Sequence, residues 1–172
     1  VIWDQVNDQR FLAYALKTAS DDNSVYLKKP MSSSELGQSI RSAEAFLNRM
    51  EAYALSGEEG LALAELNAFR KTRVIGYTDV NLSGQALLDA IRLERRKELC
   101  FEGHRWFDLR RQGMPEIKHT YKAEKGGAVY EYVLQQGDPM YTLPFPNSVV
   151  LQNRALVQNP SREMGARQGE IQ

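Results

Sequence analysis

Between Ile91 and Gly113 the chain reads IRLERRKELCFEGHRWFDLRRQG, a stretch holding eleven charged side chains, seven basic and four acidic. Two of the carboxylates, Glu98 and Glu102, stand one helical turn apart. A carboxyl pair about 5–9.5 Å apart is the apparatus of glycoside hydrolysis, and one member must keep its proton near neutral pH. Here every carboxylate has arginine or lysine neighbours, which lower its pKa instead. Hydrolysis fits the spacing and fails on the electrostatics, so no catalytic residue is assigned. The arginines suit phosphate, but no glycine-rich turn opens a helix ahead of them as a phosphate cradle requires.

The remaining reading of the stretch is structural. Arg95 and Glu98 are three apart, and Glu102, Arg105, Asp108 and Arg111 continue at steps of three, with Glu94 just ahead of them. Residues three apart on a helix are neighbours, so opposite charges alternate along a ladder. Leu99, Phe101, Trp106, Phe107 and Leu109 interleave with it, which predicts a half-buried ladder that fixes how helices meet. Arginine suits that role because its planar fork grips a carboxylate at two points.

The elements that position this ladder follow from apolar spacing. Val6, Phe11, Leu12 and Leu16 predict a short helix within 5–17, and the pattern is lost from Ser20 to Ser34, which reads as a loop. Ser32 and Glu35 have capping-box spacing. From Ile40 the positions Ala43, Leu47, Met50 and Ala54, widened by Phe46 and Tyr53, predict a helix stopped by Ser56 and Gly57. A second helix over about 58–73 presents Ala62, Leu66 and Phe69, and so short a link makes the pair antiparallel. After a loop over 74–82, Ser83 is the expected N-cap of a helix with an apolar line of Leu88, Ile91 and Leu99. Gly103 interrupts it, and Gly113 with Pro115 ends the helical part. Two such helix pairs suggest stacking of the tetratricopeptide kind. The predicted class is mainly α: tetratricopeptide-like helix pairs, a loop-rich C-terminal segment and at most short strands. One domain is expected over 1–172, with a helical core at about 35–113, a loop-rich segment at 114–160 and a polar, frayed tail at 161–172. Within the loop-rich segment VYEYVL, from Val129 to Leu134, alternates like a strand and puts Tyr130 and Tyr132 on one side.

Composition narrows the class. The chain has 172 residues with 22 basic and 22 acidic side chains, and zero net charge argues against nucleic acid as the main partner. One cysteine, Cys100, forms no internal disulfide and no thiolate cluster, and two histidines leave a metal site short of ligands, so neither metal nor cofactor is expected. Cys100 is read as a buried small apolar residue. The apolar runs fall far short of the roughly 20 residues of a membrane-spanning helix, and the start shows no secretory signal. Without an initiator Met the chain reads as a piece of a longer protein.

The block ERRKELCFEGHRWFDLRRQG, residues 94–113, closely resembles the signature of the SusD/RagB family of nutrient-binding outer-membrane lipoproteins of Bacteroidetes. SIRSAEAFLNRMEAYALSG (39–57), ALAELNAFRKTR (62–73) and DPMYTLPFPNSVVLQNRALVQNP (138–160) are similar to the family's later helices and closing segment, so the likeness runs from about Leu36 to Pro160. The resemblance implies a C-terminal portion of a SusD-like protein. It implies a non-catalytic glycan- or nutrient-binding component at the cell-surface side of the outer membrane. Its partner would be a SusC-like TonB-dependent transporter, and it would touch the membrane only through an N-terminal lipid anchor absent from this chain. The matching positions Glu94, Arg95, Glu98, Glu102, Gly103, Arg105, Asp108 and Arg111 are structural in that reading. The pattern of helix pairs alone leaves a second reading, a helical-repeat protein-interaction scaffold without a small ligand.

Sugars present flat C–H faces that stack on aromatic rings, which makes tyrosine and tryptophan the ligand candidates. Trp106 lies in the ladder and is expected in the core, Trp3 is expected to pack near the chain's start, and Tyr77 and Tyr121 are expected on loops. Tyr130 and Tyr132 are the expected ligand contacts.

Overall fold

The computed structural model describes residues 2–17, 25–27, 41–124, 126–164 and 168–171. Two compact units emerge, Val1–Arg105 and Trp106–Gln172. The architecture is mainly α, with short strands in two small sheets, as the sequence predicts.

In the first unit, α1 (Gln9–Tyr14) passes directly into β1 (Ala15–Lys17), which pairs antiparallel with β2 (Val25–Leu27). The expected helix within 5–17 is therefore shorter, and a strand enters the expected 20–34 loop. The rest of that loop and the Ser32–Glu35 capping box lie outside the described residues. Helices α2 (Ser42–Leu55) and α3 (Glu59–Lys71) form the predicted antiparallel pair. Gly57, at φ +88°, adopts the left-handed conformation that lets the Glu58 N–H donate back to the Tyr53 carbonyl at 2.9 Å, and this ends α2. Against the pair packs α4 (Gly84–Glu98), and Leu47, Met50, Ala62, Leu66, Phe69, Leu87, Ile91 and Leu99 close the core. Leu87, not Leu88, carries the first core contact of α4.

Two details of α4 depart from expectation. Ser83 occupies the N-cap, yet its side chain makes no capping bond, and the Gly84 N–H donates to the Glu59 carboxylate of α3 at 3.0 Å. A carboxylate at a helix start serves the same orphan donors and is favoured there by the helix dipole. The loop over 74–82 is pinned by Asn67 of α3, which is buried. Its amide donates to the Val80 carbonyl at 3.0 Å and accepts from the Val80 N–H at 3.1 Å and the Tyr77 hydroxyl at 2.7 Å.

The division between the units falls inside α5 (His104–Arg111). The second unit then builds an antiparallel sheet from β3 (Ile117–Lys122), β4 (Val129–Leu134) and β5 (Glu170–Ile171), in that spatial order. The tail expected to fray supplies β5, and Ser161, in a 3₁₀ turn at Pro160–Glu163, is buried. Tyr141 is fully buried, stacks on Trp106 with ring centroids 4.9 Å apart, and donates its hydroxyl hydrogen to the Pro115 carbonyl at 2.5 Å. The segment between Thr142 and Ser161, which includes α6 (Asn147–Gln152), is laced by side chains. Gln158 accepts from the Phe145 N–H at 2.8 Å and donates to its carbonyl at 3.0 Å, and Asn159 donates to the Leu143 carbonyl at 2.8 Å.

Candidate functional site

Glu94 and Glu98 are four apart on α4 and so share one of its faces, where both are almost wholly buried. Four arginines from elsewhere in the first unit converge on them. Arg10 stands 2.7 Å from Glu94 and 3.4 Å from Glu98. Arg70 at the end of α3 reaches Glu94 at 2.8 Å, and Arg73 reaches Glu98 at 3.0 Å. Arg41, at the entry to α2, contacts Glu98 at 3.1 Å and Glu102 at 2.8 Å, and donates to the Glu98 carbonyl at 2.9 Å. Asp8 completes the set by holding Arg10 at 2.8 Å. Four guanidiniums face four carboxylates, so the cluster is neutral.

Backbone bonds deliver Arg10 to this place. The Gln9 N–H donates to the Arg73 carbonyl and the Ile75 N–H to the Asn7 carbonyl, each at 2.9 Å, which lays the N-terminal segment along residues 73–75. On another side of α4, Arg95 donates to Asn48 at 2.8 Å and faces Glu44 at 3.5 Å, and Arg92 contacts Glu51 at 3.0 Å, so α4 is tied to α2 as well.

The ladder is thus not one helical run. Helix α4 ends at Glu98, and Phe101 and Gly103 take positive φ values of 63° and 81°, which breaks the chain's helical course before α5. The partners of Glu94, Glu98 and Glu102 described above come from distant segments. Asp108 and Arg111, at 3.1 Å, form a pair of the expected spacing, and Asp108 is buried. Arg105 is exposed. So are Phe101 and Phe107, expected among the interleaved apolar residues, while Trp106 and Cys100 are half-buried.

Electrostatics keep Glu98 and Arg10 in their charged forms. Burial alone would raise the Glu98 pKa, but the hydrogen bond and charge of Arg73 and the charges of Arg10 and Arg41 hold it below the usual carboxylate range. Burial disfavours the Arg10 cation, yet the hydrogen bond to Asp8 and the charge of Glu94 outweigh it and raise its pKa. A carboxylate so held is a poor proton donor at neutral pH, which is opposite to what a glycosidase acid needs. Among the described residues, no group of three or more His, Cys, Asp or Glu side chains is placed to hold a metal.

The expected ligand residues lie in the second unit. Tyr130 and Tyr132 are both half-buried on β4, where strand alternation puts them on one face. The pairing partner that the sequence left unidentified is β3, with His119 opposite Tyr132 and Tyr121 opposite Tyr130. Tyr121 therefore sits on a strand rather than a loop, and it is exposed. In the first unit, a groove of about 410 Å³ runs between α2 and α3, with Phe46, Met50, Ala68 and Phe69 among its walls.

A model of the SusD family matches residues 7–161. The chain belongs to the SusD family. Two solved structures accord with that membership, and a third shares the fold. A SusD superfamily protein from Bacteroides fragilis is 29% identical with a TM-score of 0.65, over 87% of this chain and 34% of its own. A SusD-like protein from the same species is 26% identical with a TM-score of 0.53, over 70% of this chain and 25% of its own. A SusD-like carbohydrate-binding protein from Bacteroides vulgatus shares the fold at 21% identity and a TM-score of 0.57, over 90% of this chain and 39% of its own. The chain thus spans about a quarter to two fifths of these SusD-like proteins. No curated protein matches it. The SusD match extends from the start of the ion cluster, at Asp8 and Arg10, through β3 and β4 to Ser161.

Sequence reasoning missed Arg10, Arg41, Arg70 and Arg73 as partners of the α4 carboxylates. Their one visible signal is that all four sit within two residues of a helix end, where an arginine reaches across to a neighbouring element.

Proposed function

We propose that this chain is part of a non-catalytic, glycan- or nutrient-binding component of an outer-membrane uptake system. The observation that carries the reading is membership of the SusD family across residues 7–161. In this reading the protein sits at the cell-surface side of the outer membrane, held by a lipid anchor, and hands its ligand to a SusC-like TonB-dependent transporter. One protein of the same fold is itself a carbohydrate-binding protein. No described helix is long and apolar enough to cross a membrane. The buried ions of α4 act as architecture, and Tyr130 and Tyr132 are the proposed ligand contacts. Electrophoresis through gels cast with neutral polysaccharides tests the binding role: retardation in at least one is expected, and unchanged mobility in all would overturn it. Co-purification with a barrel transporter tests the partnership.

The groove between α2 and α3 favours a second reading, a helical-repeat scaffold for proteins. Its walls are largely apolar, and Phe46 at its edge is 47% exposed. A peptide pull-down that succeeds where every polysaccharide gel fails would favour the scaffold.

A further inference from the structure

The hairpin of β3 and β4 sorts its side chains by face. Directly opposite residues of an antiparallel pair point the same way, with Cβ atoms about 4.5–5.5 Å apart. One face therefore holds His119 beside Tyr132 and Tyr121 beside Tyr130, flanked by Ile117 and Leu134 at one end. The two rungs lie about 7 Å apart along the strands. The other face holds Lys118, Thr120 and Lys122 opposite Val133, Glu131 and Val129, and it has no ring at all. Isolated exposed aromatics need no explanation, but four rings gathered on one face of an open hairpin do. Neither β3 nor β4 has a fully buried residue, and Tyr121 is 51% exposed.

Gly169 shows how the face is kept level. A Cβ added there would lie 2.8 Å from the Tyr130 Cβ and 2.8 Å from both Cε2 and Cζ of Tyr132. The Tyr132 ring therefore leans across the backbone just before β5, and only glycine leaves room for it. Backbone, instead of a bulky neighbour, supports the ring from beside.

We infer that His119, Tyr121, Tyr130 and Tyr132 form one stacking surface for a neutral glycan of extended, equatorially β-linked sugars. This rests on the glycan-binding reading above, and it adds His119, Tyr121, Gly169 and the linkage class. The rings offer apolar faces to C–H surfaces, while phenol and imidazole tips exchange hydrogen bonds with hydroxyls. Lys118, Lys122 and Glu131, the lysines and glutamate of the two strands, are on the opposite face, so the ring face suits a neutral sugar. The two ring pairs follow one another about 7 Å apart along the strands, which suits a ribbon-like chain whose successive sugars stay extended. A coiling α-linked chain would meet it at one sugar only.

Titration calorimetry of this chain with β-1,4-linked hexaoses of glucose, xylose and mannose, against α-1,4-linked glucohexaose, tests the inference. At least one β-linked hexaose should bind about tenfold more tightly than the α-linked one. Tyr121→Ala and His119→Ala should each weaken it about fivefold, the order expected of one lost ring contact. Gly169→Ala should do the same by displacing Tyr132, whereas Lys118→Ala, on the opposite face, should bind as the parent does. Preference for the α-linked hexaose would overturn the linkage class. Unchanged binding in Tyr121→Ala and His119→Ala, with loss in Tyr132→Ala, would overturn the four-ring surface and leave the glycan reading standing. Failure of the parent to bind any hexaose or polysaccharide would bring down both. Ring substitutions that alter self-association in sedimentation, without altering sugar binding, would reassign the face to a second copy of the chain.

Discussion

Glu98 on α4 and Tyr121 on β3 both carry polar ends, yet 1% of one and 51% of the other meets water. The contrast extends to their surroundings. Glu98 is gripped by Arg10, Arg41 and Arg73. Tyr121 shares an open face with three other rings and a sheet that buries none of them. Side chains that are densely charged and conspicuous in sequence are spent on holding the first unit together. The chemistry suited to recognition sits on a plainer strand of the second. Predictions follow from setting the two regions against each other.

The largest effect is expected at Glu98. Glu98→Gln removes the buried carboxylate that Arg10, Arg41 and Arg73 share, and breaking a buried pair in this way costs about 3–5 kcal/mol. Urea unfolding should show that loss, and an unchanged midpoint would erase the contrast between the two regions. Acid should act through the same group. Because the folded state holds the Glu98 pKa below its ordinary value, ionised Glu98 contributes stability above about pH 4.3, the usual glutamate value, and that contribution fades as pH falls through the lower folded value. Urea midpoints measured from pH 7 down to pH 3 should drop, and Glu98→Gln should flatten the drop.

Asn67→Ala comes next, since it strands the Val80 N–H and carbonyl and should cost about 1–3 kcal/mol. Hydrogen exchange should quicken at Val80 first. Smaller still is the exposed pair of Arg49 and Glu65. It has the same 2.7 Å separation as Arg10 and Glu94, but its side chains are 50% and 25% exposed. A double-mutant cycle should give a coupling below about 1 kcal/mol there, and a value equal to that of Arg10 with Glu94 would show that burial is not what matters. Smallest of all is Tyr121→Ala, whose stability should stay within about 0.5 kcal/mol of the parent.

Much of the first unit was legible because its helices obey local rules. Ala43, Leu47 and Met50, then Ala62, Leu66 and Phe69, step with the helical period and are all buried. Gly57 stops α2 as its type suggests. The partners of the α4 carboxylates were not legible, since Arg10 and Glu98 are 88 residues apart and Arg41 and Glu98 are 57 apart, and no spacing rule spans such distances. Strand β4 was readable from VYEYVL, but its partner IKHTYK, with five exposed positions, has too weak an alternation to stand out. The ring at Tyr121 and the glycine that supports Tyr132 became visible only with the register.

The separation of Arg10 from Glu98 also has a meaning in time. Synthesis runs from the N-terminus, so the guanidiniums at 10, 41, 70 and 73 all leave the ribosome before the carboxylates at 94, 98 and 102. At about 5–20 residues per second, Arg10 waits roughly 4–18 s for Glu98. Throughout that interval the nascent chain carries a cationic excess at these positions, and their ionic knot is tied late, once α4 has emerged.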